Sequence, residues 1–389
     1  MTSRRWSAYL SGGFGLSMSA MLGLLVPLRA AELGIPLPAI GLIVGAYSAA
    51  SAVLAVPLSL LITRLGTRGA FIAGTGGCAL LASALSLAAG FWSLLLLNPA
   101  IGALSTLGWV ASQTYISSWG RPTERARNTG RFSFVSNASQ MVTPLMVGVS
   151  AAALGYRATF LVVAAYCTAF AVVGAVLPPQ EAQTSGERGR LKAAGHLFRL
   201  PRLQLAMLLT FVRLWVPTIW RPFFPLLLVA GGSSPDVAGA VLSFAAAVAM
   251  AVSLLTGRLS RWASPEVVCT SALGLAVAGL VLSPHLLTLP AVLLPAALVG
   301  IGNGLSLPLL IVIVSEAAPP GQRGLALATR NAVNSLSGTV APLGTAPVIA
   351  ALGATAGFAL AGGVAGGLLA LAVVLQRRTR PAAATAPSP

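Results

Sequence analysis

The chain has 389 residues, of which 56% are hydrophobic and only 8% are charged, with a mean hydropathy of +0.88. A soluble domain carries about 25% charged residues, so this composition excludes an ordinary soluble protein. Apolar runs near the ~20 residues that cross a bilayer as a helix predict an all-α membrane protein. Twelve transmembrane helices are predicted, at 6–28, 38–62, 69–90, 92–119, 130–153, 158–177, 203–228, 237–257, 265–284, 288–316, 325–350 and 354–375.

The net charge of +17 is typical of proteins that bind nucleic acids, but the positions of the basic residues favour another interpretation. With an even number of spans, almost all of them fall on one side, and only Arg29 and Arg157 fall in the opposite loops. The positive-inside rule then predicts a multi-pass protein of a bacterial-type inner membrane with both termini in the cytoplasm. Membrane lipid is an expected partner and nucleic acid is not.

An internal repeat appears at a constant offset of 198 residues. The clearest block is "AALGYRATF" from Ala152 against "AALGATAGF" from Ala350, and other pairs include Gly41 with Gly239 and Pro144 with Pro342. The repeat predicts two parallel six-helix halves. We expect an N-terminal half at 1–177, a cytoplasmic linker at 178–202, a C-terminal half at 203–376 and a disordered cytoplasmic tail at 377–389.

This organisation resembles the major facilitator superfamily of secondary transporters. The family pattern after the second helix, G-x-L-[AG]-D-R-x-G-R-[RK], is matched by "SLLITRLGTR" at Leu61, Arg64, Gly66 and Arg68, with Thr63 in the place of the acid. The repeat copy retains Gly257. The resemblance implies a gating role for Arg64, Gly66, Arg68 and Gly257.

Two further segments depart from family patterns. "NPAIG" places Asn98 where many proton-coupled members carry arginine, beside a matching Gly102. In the fifth span, small residues and Pro144 stand where antiporters carry G-x-x-x-G-P, and Pro342 is the repeat copy. Since small residues allow close helix approach and proline bends a helix, we interpret these prolines as packing and gating sites.

Carboxylates are scarce, with seven Asp and Glu in total. A proton-driven carrier commonly needs an ionisable group within the membrane, and only Glu316, at the cytoplasmic end of the tenth span, comes close. Glu316 is therefore a candidate proton site, or an interfacial residue near Arg323. The three cysteines, each alone in a span, predict neither a disulfide nor a metal site, and no cofactor is expected.

Arg213 and Arg221 lie within the seventh span, and no acid shares their depth. Eight residues on a helix cover about 12 Å and about 80°, so both can face one cavity. One interpretation is structural: Arg213 bonds carbonyls freed near Pro217 or polar side chains, and Arg221 extends towards the outer surface. The other is that the missing partner is an anionic substrate, because a guanidinium suits carboxylate or phosphate.

Other polar or aromatic residues at comparable depths are candidates for lining the same site. They are Gln140, Asn303, Tyr47, Asn137, Asn334 and Trp215. The third, sixth, ninth and twelfth spans carry few polar groups and are expected to face lipid.

These observations predict a transporter, not an enzyme, that moves a small organic anion by uniport or exchange through alternating access. We expect it to act as a monomer on a small-molecule substrate. The alternative within transport is a proton-coupled exporter of drug-like or sugar-like compounds, with Glu316 carrying the proton. A membrane-embedded receptor or enzyme is a more distant alternative, because no nucleophile and base lie at a common depth.

Overall fold

The computed structural model describes residues 2–119, 122–178, 200–319 and 322–379, and every regular element among them is helical. The 3₁₀ turns Ser11–Gly13 and Ser283–His285 follow the first and the tenth helix. The helices are α1 (Thr2–Leu10), α2 (Gly15–Glu32), α3 (Leu37–Val53), α4 (Ala55–Ser86), α5 (Phe91–Ser118), α6 (Pro122–Val176), α7 (Pro201–Ala230), α8 (Pro235–Ser253), α9 (Thr256–Leu259), α10 (Pro265–Leu282), α11 (Leu293–Ala317) and α12 (Arg323–Thr379).

Three of these helices contain a glycine whose backbone is not helical. Gly66 in α4, Gly155 in α6 and Gly353 in α12 have φ angles of 71°, 77° and 84°. Such angles suit glycine because it lacks a Cβ, so each glycine divides its helix into two segments. Gly155 and Gly353 are equivalent positions of the repeat, which therefore includes the chain reversals as well as the helices.

Nine helices in the described ranges are long and apolar enough to cross a membrane, and Leu37–Val53 is a shorter apolar helix. Two of the nine, Arg127–Val176 and Thr329–Arg377, have 50 and 49 residues, about twice the ~20 that one crossing needs, and each contains a dividing glycine. The chain is therefore a multi-pass membrane protein. The count of twelve crossings stays a prediction.

Some predicted boundaries differ from the structure. The second predicted span, 38–62, is interrupted after Val53, where Leu54 leaves the helical conformation before α4 begins at Ala55. At the C-terminus α12 continues to Thr379, beyond the predicted start of the tail. Most of the predicted linker, residues 179–199, and of the tail, residues 380–389, lies outside the described residues.

Large apolar side chains are exposed on the segments expected to face lipid. Examples are Leu80, Leu161, Leu275 and Leu360. Extensive apolar exposure is uncommon on soluble proteins, so it fits a surface covered by acyl chains.

The two halves touch each other at one end of the molecule. We call it the outer end, because it carries the loop between α2 and α3; the basic end, with Arg64 and Arg258, lies opposite. At the outer end α3 packs against α12, where a Cβ on Gly41 would lie 2.8 Å from the carbonyl oxygen of Pro342. Close approach of two backbones requires a residue as small as glycine.

A second outer contact joins α6 and α8. Gly239 approaches the carbonyl oxygen of Pro144, and the backbone N–H of Leu145 donates a hydrogen bond to Ser243 Oγ at 2.9 Å. Gly239 and Pro144 are the repeat equivalents of Gly41 and Pro342. The repeat therefore interchanges these two contacts between the halves, and α2 of one half also packs against α7 of the other.

Candidate functional site

A cavity of about 100 Å³ lies between the two halves. Both halves contribute to its walls, from α2, α3 and α5 on one side and from α7 and α12 on the other. The lining residues are Ser19, Leu22, Gly23, Val44, Tyr47, Ser48, Asn98, Leu214, Pro217, Thr218, Arg221, Pro222 and Gly338. A chamber shared by the two halves is where a solute can contact both.

Arg221 is the charged residue in this lining, and Gly23 lies opposite it. A Cβ on Gly23 would have the Cβ of Arg221 as its neighbour at 3.9 Å, with nothing else nearer. The single ion pair among the described residues joins Arg29 and Glu32 at the outer end, so no described carboxylate neutralises Arg221. The glycine leaves room for the long arginine side chain at the boundary between the halves.

Asn98 contributes an amide from α5 and is only 2% exposed. Its Nδ2 donates a hydrogen bond to the carbonyl oxygen of Ile43 on α3 at 2.8 Å. Its Oδ1 is buried without a hydrogen-bond partner in the described structure. Sequence reasoning noted Asn98 only as a departure from a family pattern, and the structure adds it to the cavity lining.

Tyr47 enters the lining from α3. Its hydroxyl lies 2.8 Å from Ser105 Oγ, and Ser105 Oγ donates to the carbonyl oxygen of Gly102 at 3.0 Å. Gly102 also allows α5 to approach α3, since a Cβ there would lie 2.6 Å from the carbonyl oxygen of Tyr47. Close helix packing thus fixes the position of the tyrosine.

Arg213 is separated from this cavity. It is absent from the lining, and its Nε is buried without a hydrogen-bond partner. The structural interpretation expects bonds from Arg213 to freed carbonyls or to polar side chains, and the Nε atom makes neither in the described structure.

Arg330 is a third arginine within a predicted span of the C-terminal half. It lies in α12 at 7% exposure, and its Nε also lacks a hydrogen-bond partner in the described structure. Its position inside the predicted span 325–350 was the available signal. The predicted spans 203–228 and 325–350 of the C-terminal half therefore contain three arginines, two of them with an unpartnered buried Nε.

The remaining predicted lining residues do not meet around the cavity. Trp215 Nε1 donates to the carbonyl oxygen of Ala361 at 3.0 Å, and its ring stacks on Phe211, so it joins α7 to the second segment of α12. The others lie on α6, α11 and α12 away from the lining. They are Gln140, Asn137, Asn303 and Asn334.

The predicted gating residues divide into two groups. Arg68 Nη2 donates to the carbonyl oxygen of Ala175 at 2.6 Å, which links two helices of the N-terminal half at the basic end. Arg64 is exposed, Gly66 marks the break in α4 and Gly257 lies in the short α9. Pro144 and Pro342, in contrast, lie at the outer contacts between the halves.

Glu316 lines a different cavity. This second cavity, of about 470 Å³, lies at the basic end of the C-terminal half. Its lining also includes Arg202, Glu266, Trp262 and Gln376. Glu316 is exposed there and makes no ion pair with any described residue, and the side chain of Arg323 is outside the described structure.

No candidate metal site occurs in the parts of the chain that the structure describes. Among these residues, no group of three or more His, Cys, Asp or Glu side chains could hold an ion.

Comparison with known families gives a match over most of the chain. The family model described as Major Facilitator Superfamily matches residues 7–342, and it matches residues 267–388 a second time. No curated protein matches the sequence.

Solved structures of transporters have the same fold. A mutant of the nucleoside transporter NupG aligns with a TM-score of 0.81 at 12% identity, over 96% of this chain and 99% of that chain. A bacterial homologue of the human lysosomal transporter Spinster, inward-facing and unoccupied, aligns with a TM-score of 0.76 at 15% identity, over 98% and 99%. The peptide transporter POT in complex with sulfate aligns with a TM-score of 0.75 at 14% identity, over 96% and 94%.

Proposed function

Because this chain belongs to the major facilitator superfamily and is therefore a membrane transporter, we propose that it moves a small organic anion by uniport or exchange. The observation that carries this proposal is Arg221, which lines the cavity between the halves with no described carboxylate beside it. Both halves contribute to this cavity, so the proposed site is accessible in turn from each side as the halves rock.

The energetic argument starts from the cost of a charge in the membrane. A guanidinium near the bilayer centre costs on the order of 3 kcal/mol or more without a partner. A substrate anion supplies that partner, and the planar fork of arginine binds a carboxylate through two hydrogen bonds. Arg213 stays a second proposed contact, because its buried Nε lacks a partner. Arg221 is expected to matter more because it lines the cavity.

The size of the cavity favours a small solute. Its volume of about 100 Å³ is below the roughly 300–1,000 Å³ of pockets for drug-sized ligands. A compact organic acid therefore suits it better than a bulky drug.

The test is exchange of labelled short carboxylates in proteoliposomes, without a pH gradient. Wild type is expected to exchange them, Arg221→Gln to lose most of the activity, and Arg213→Gln to lose less. Arg157→Gln is the matched control, because Arg157 donates to the carbonyl oxygen of Ser86 at the outer end. Equal exchange by wild type and Arg221→Gln would rule out the proposed site.

We also propose that the basic end faces the cytoplasm, with the parallel halves joined by a cytoplasmic linker. The concentration of arginine at that end supports this orientation. Tags at the N-terminus, near Gly186 and at the C-terminus are expected to react only after cells are permeabilised. Labelling of any of the three in intact cells would contradict the topology.

A further inference from the structure

Asn98 lines the cavity and carries an unpartnered hydrogen-bond acceptor. An amide has donors only on nitrogen, so the contact with the carbonyl oxygen of Ile43 identifies the Nδ2 side. The polar atom left is Oδ1, which is buried and unpartnered. Buried polar atoms are usually satisfied in folded proteins, so an unpartnered acceptor in a cavity wall points to a ligand that donates.

Tyr47 lines the cavity and carries a hydroxyl. Its oxygen lies 2.8 Å from Ser105 Oγ, and either hydroxyl can donate in that hydrogen bond. A hydroxyl has one hydrogen and two lone pairs, so Tyr47 can donate to a ligand when Ser105 donates to it, and can accept from a ligand when it donates to Ser105.

Thr218 on α7 can only accept a hydrogen bond from a ligand, since its hydroxyl donates to the carbonyl oxygen of Leu214 at 2.6 Å. The serine hydroxyls at 19 and 48 can rotate to donate or accept and do not discriminate. The lining thus combines one fixed cation, Arg221, with the unpartnered acceptor Asn98 Oδ1, the acceptor Thr218 and the Tyr47 hydroxyl, which can donate or accept.

A plain carboxylate satisfies the cation but leaves Asn98 Oδ1 unpaired. We propose that the substrate is a short hydroxy carboxylate, with its carboxylate on Arg221, its hydroxyl hydrogen donated to Asn98 Oδ1 and its hydroxyl oxygen accepting from Tyr47. This inference rests on the proposed function and adds the second functional group. An ammonium group in place of the hydroxyl is less suitable, because no described carboxylate lines the cavity to balance it.

Such a ligand joins the two halves. Arg221 belongs to the C-terminal half, whereas Asn98 and Tyr47 belong to the N-terminal half. A molecule with a carboxylate and a hydroxyl therefore stabilises conformations in which these side chains of the two halves are close together. A plain acid contacts only Arg221, in the C-terminal half, and lacks this effect.

The experiment measures dissociation constants of the purified full-length protein from ligand-induced thermal shifts. The probes are both enantiomers of lactate, propionate, alanine and the uncharged lactamide. Lactate is expected to bind about tenfold more tightly than propionate, the effect of one added hydrogen bond. Alanine is expected to bind more weakly than lactate, and lactamide should cause little shift.

Two variants test the two proposed contacts of the ligand hydroxyl separately. Asn98→Leu and Tyr47→Phe should each reduce the preference for lactate over propionate towards unity while changing the propionate constant by less than about threefold. Tyr166→Phe is the matched control, because the Tyr166 hydroxyl donates to the carbonyl oxygen of Gly13 outside the cavity. It should keep the full preference. If Asn98→Leu fails to fold, Tyr47→Phe still decides the question.

The outcomes separate the inference from the proposed function. Equal affinity for lactate and propionate, or tightest binding of alanine, would overturn the inference while Arg221-dependent binding of any acid upholds the anion site. Absence of Arg221-dependent binding of all three acids would overturn both.

Discussion

The N-terminal and C-terminal halves make the same close helix contact around Gly102 and Gly300. A Cβ on Gly102 would lie 2.6 Å from the carbonyl oxygen of Tyr47, and one on Gly300 would lie 2.5 Å from that of Ala245. Ala245 is the repeat equivalent of Tyr47, so the same backbone positions touch in both halves. Packing has therefore preserved the glycines on both sides of the repeat.

The polar groups of the cavity differ from these glycines, because each polar group occurs in one half and is not repeated in the other. At the equivalent position of the other half stands a small residue: Ala245 for Tyr47, Ala296 for Asn98 and Gly23 for Arg221. The comparison teaches that the repeat determines the scaffold, whereas a few unmatched residues determine what the cavity binds. It also suggests four experiments.

Moving the guanidinium from position 221 to position 23, in the other half, is expected to have the largest effect on ligand affinity. Arg221→Gly should weaken binding of a short organic acid on the order of 100-fold, because it removes a charged hydrogen-bonding partner from a dry site. Adding Gly23→Arg restores a guanidinium on the other wall, and the double variant should recover affinity to within about tenfold of wild type. Thermal-shift titration measures both.

The control for this exchange is Gly23→Arg alone, which places two cations in one cavity. A double variant that binds no better than Arg221→Gly would show that the position of the cation, and not its presence, decides binding.

Alanine at the two equivalent glycines is expected to have an intermediate effect. Gly102→Ala and Gly300→Ala should each cost about 1–3 kcal/mol of stability, because the added methyl overlaps a backbone carbonyl. Only Gly102→Ala should also weaken lactate binding, by about tenfold, since it displaces Tyr47. Melting temperatures and affinities of the folded fractions test this, and equal losses of affinity would contradict the division between scaffold and lining.

An imposed pH gradient is expected to have a small effect on the rate of transport. Glu316 lies in the second cavity at the basic end and not in the central one, so an imposed pH gradient should change the exchange rate by less than about twofold. Transport by wild type and Glu316→Gln, with and without the gradient, measures this. Strong proton-driven accumulation lost in Glu316→Gln would favour a proton-coupled exporter instead.

Gly23→Ala is expected to have the smallest effect. Its added Cβ has only the Cβ of Arg221 near it, at 3.9 Å, an ordinary contact distance, so affinity should change less than about twofold. Gly15→Ala is the contrasting variant, because its Cβ would lie 2.5 Å from the ring of Trp109. A melting temperature lowered by Gly23→Ala as much as by Gly15→Ala would contradict the open space opposite Arg221.

Hydropathy and the repeat were sufficient to predict the all-helical membrane fold, because both patterns extend over many residues and do not depend on any single contact. The family match confirms the predicted class of transporter. The equivalent glycine turns at Gly155 and Gly353 could also be anticipated from the aligned blocks of the repeat. Tyr47 and Arg221, predicted from depth alone, do line the cavity, although their roles stay predictions.

Details that depend on how a helix rotates against distant neighbours could not be predicted. Arg213 and Arg221 were expected to share a cavity, but a separation of about 12 Å along the helix leaves only Arg221 in a lining this small. The role of Asn98 depends on a hydrogen bond to Ile43, 55 residues away. Nothing in the local sequence indicates that contact.

The outer contacts between the halves have the geometry of an isologous dimer. Gly41 meets Pro342 while Gly239 meets Pro144, so residue i of one half touches j of the other, and their equivalents touch in the reverse sense. Two separate six-helix polypeptides related by a twofold axis would form this interface with one set of residues. In the fused chain each contact is encoded twice, and a substitution at one copy leaves the other copy to hold the outer end together.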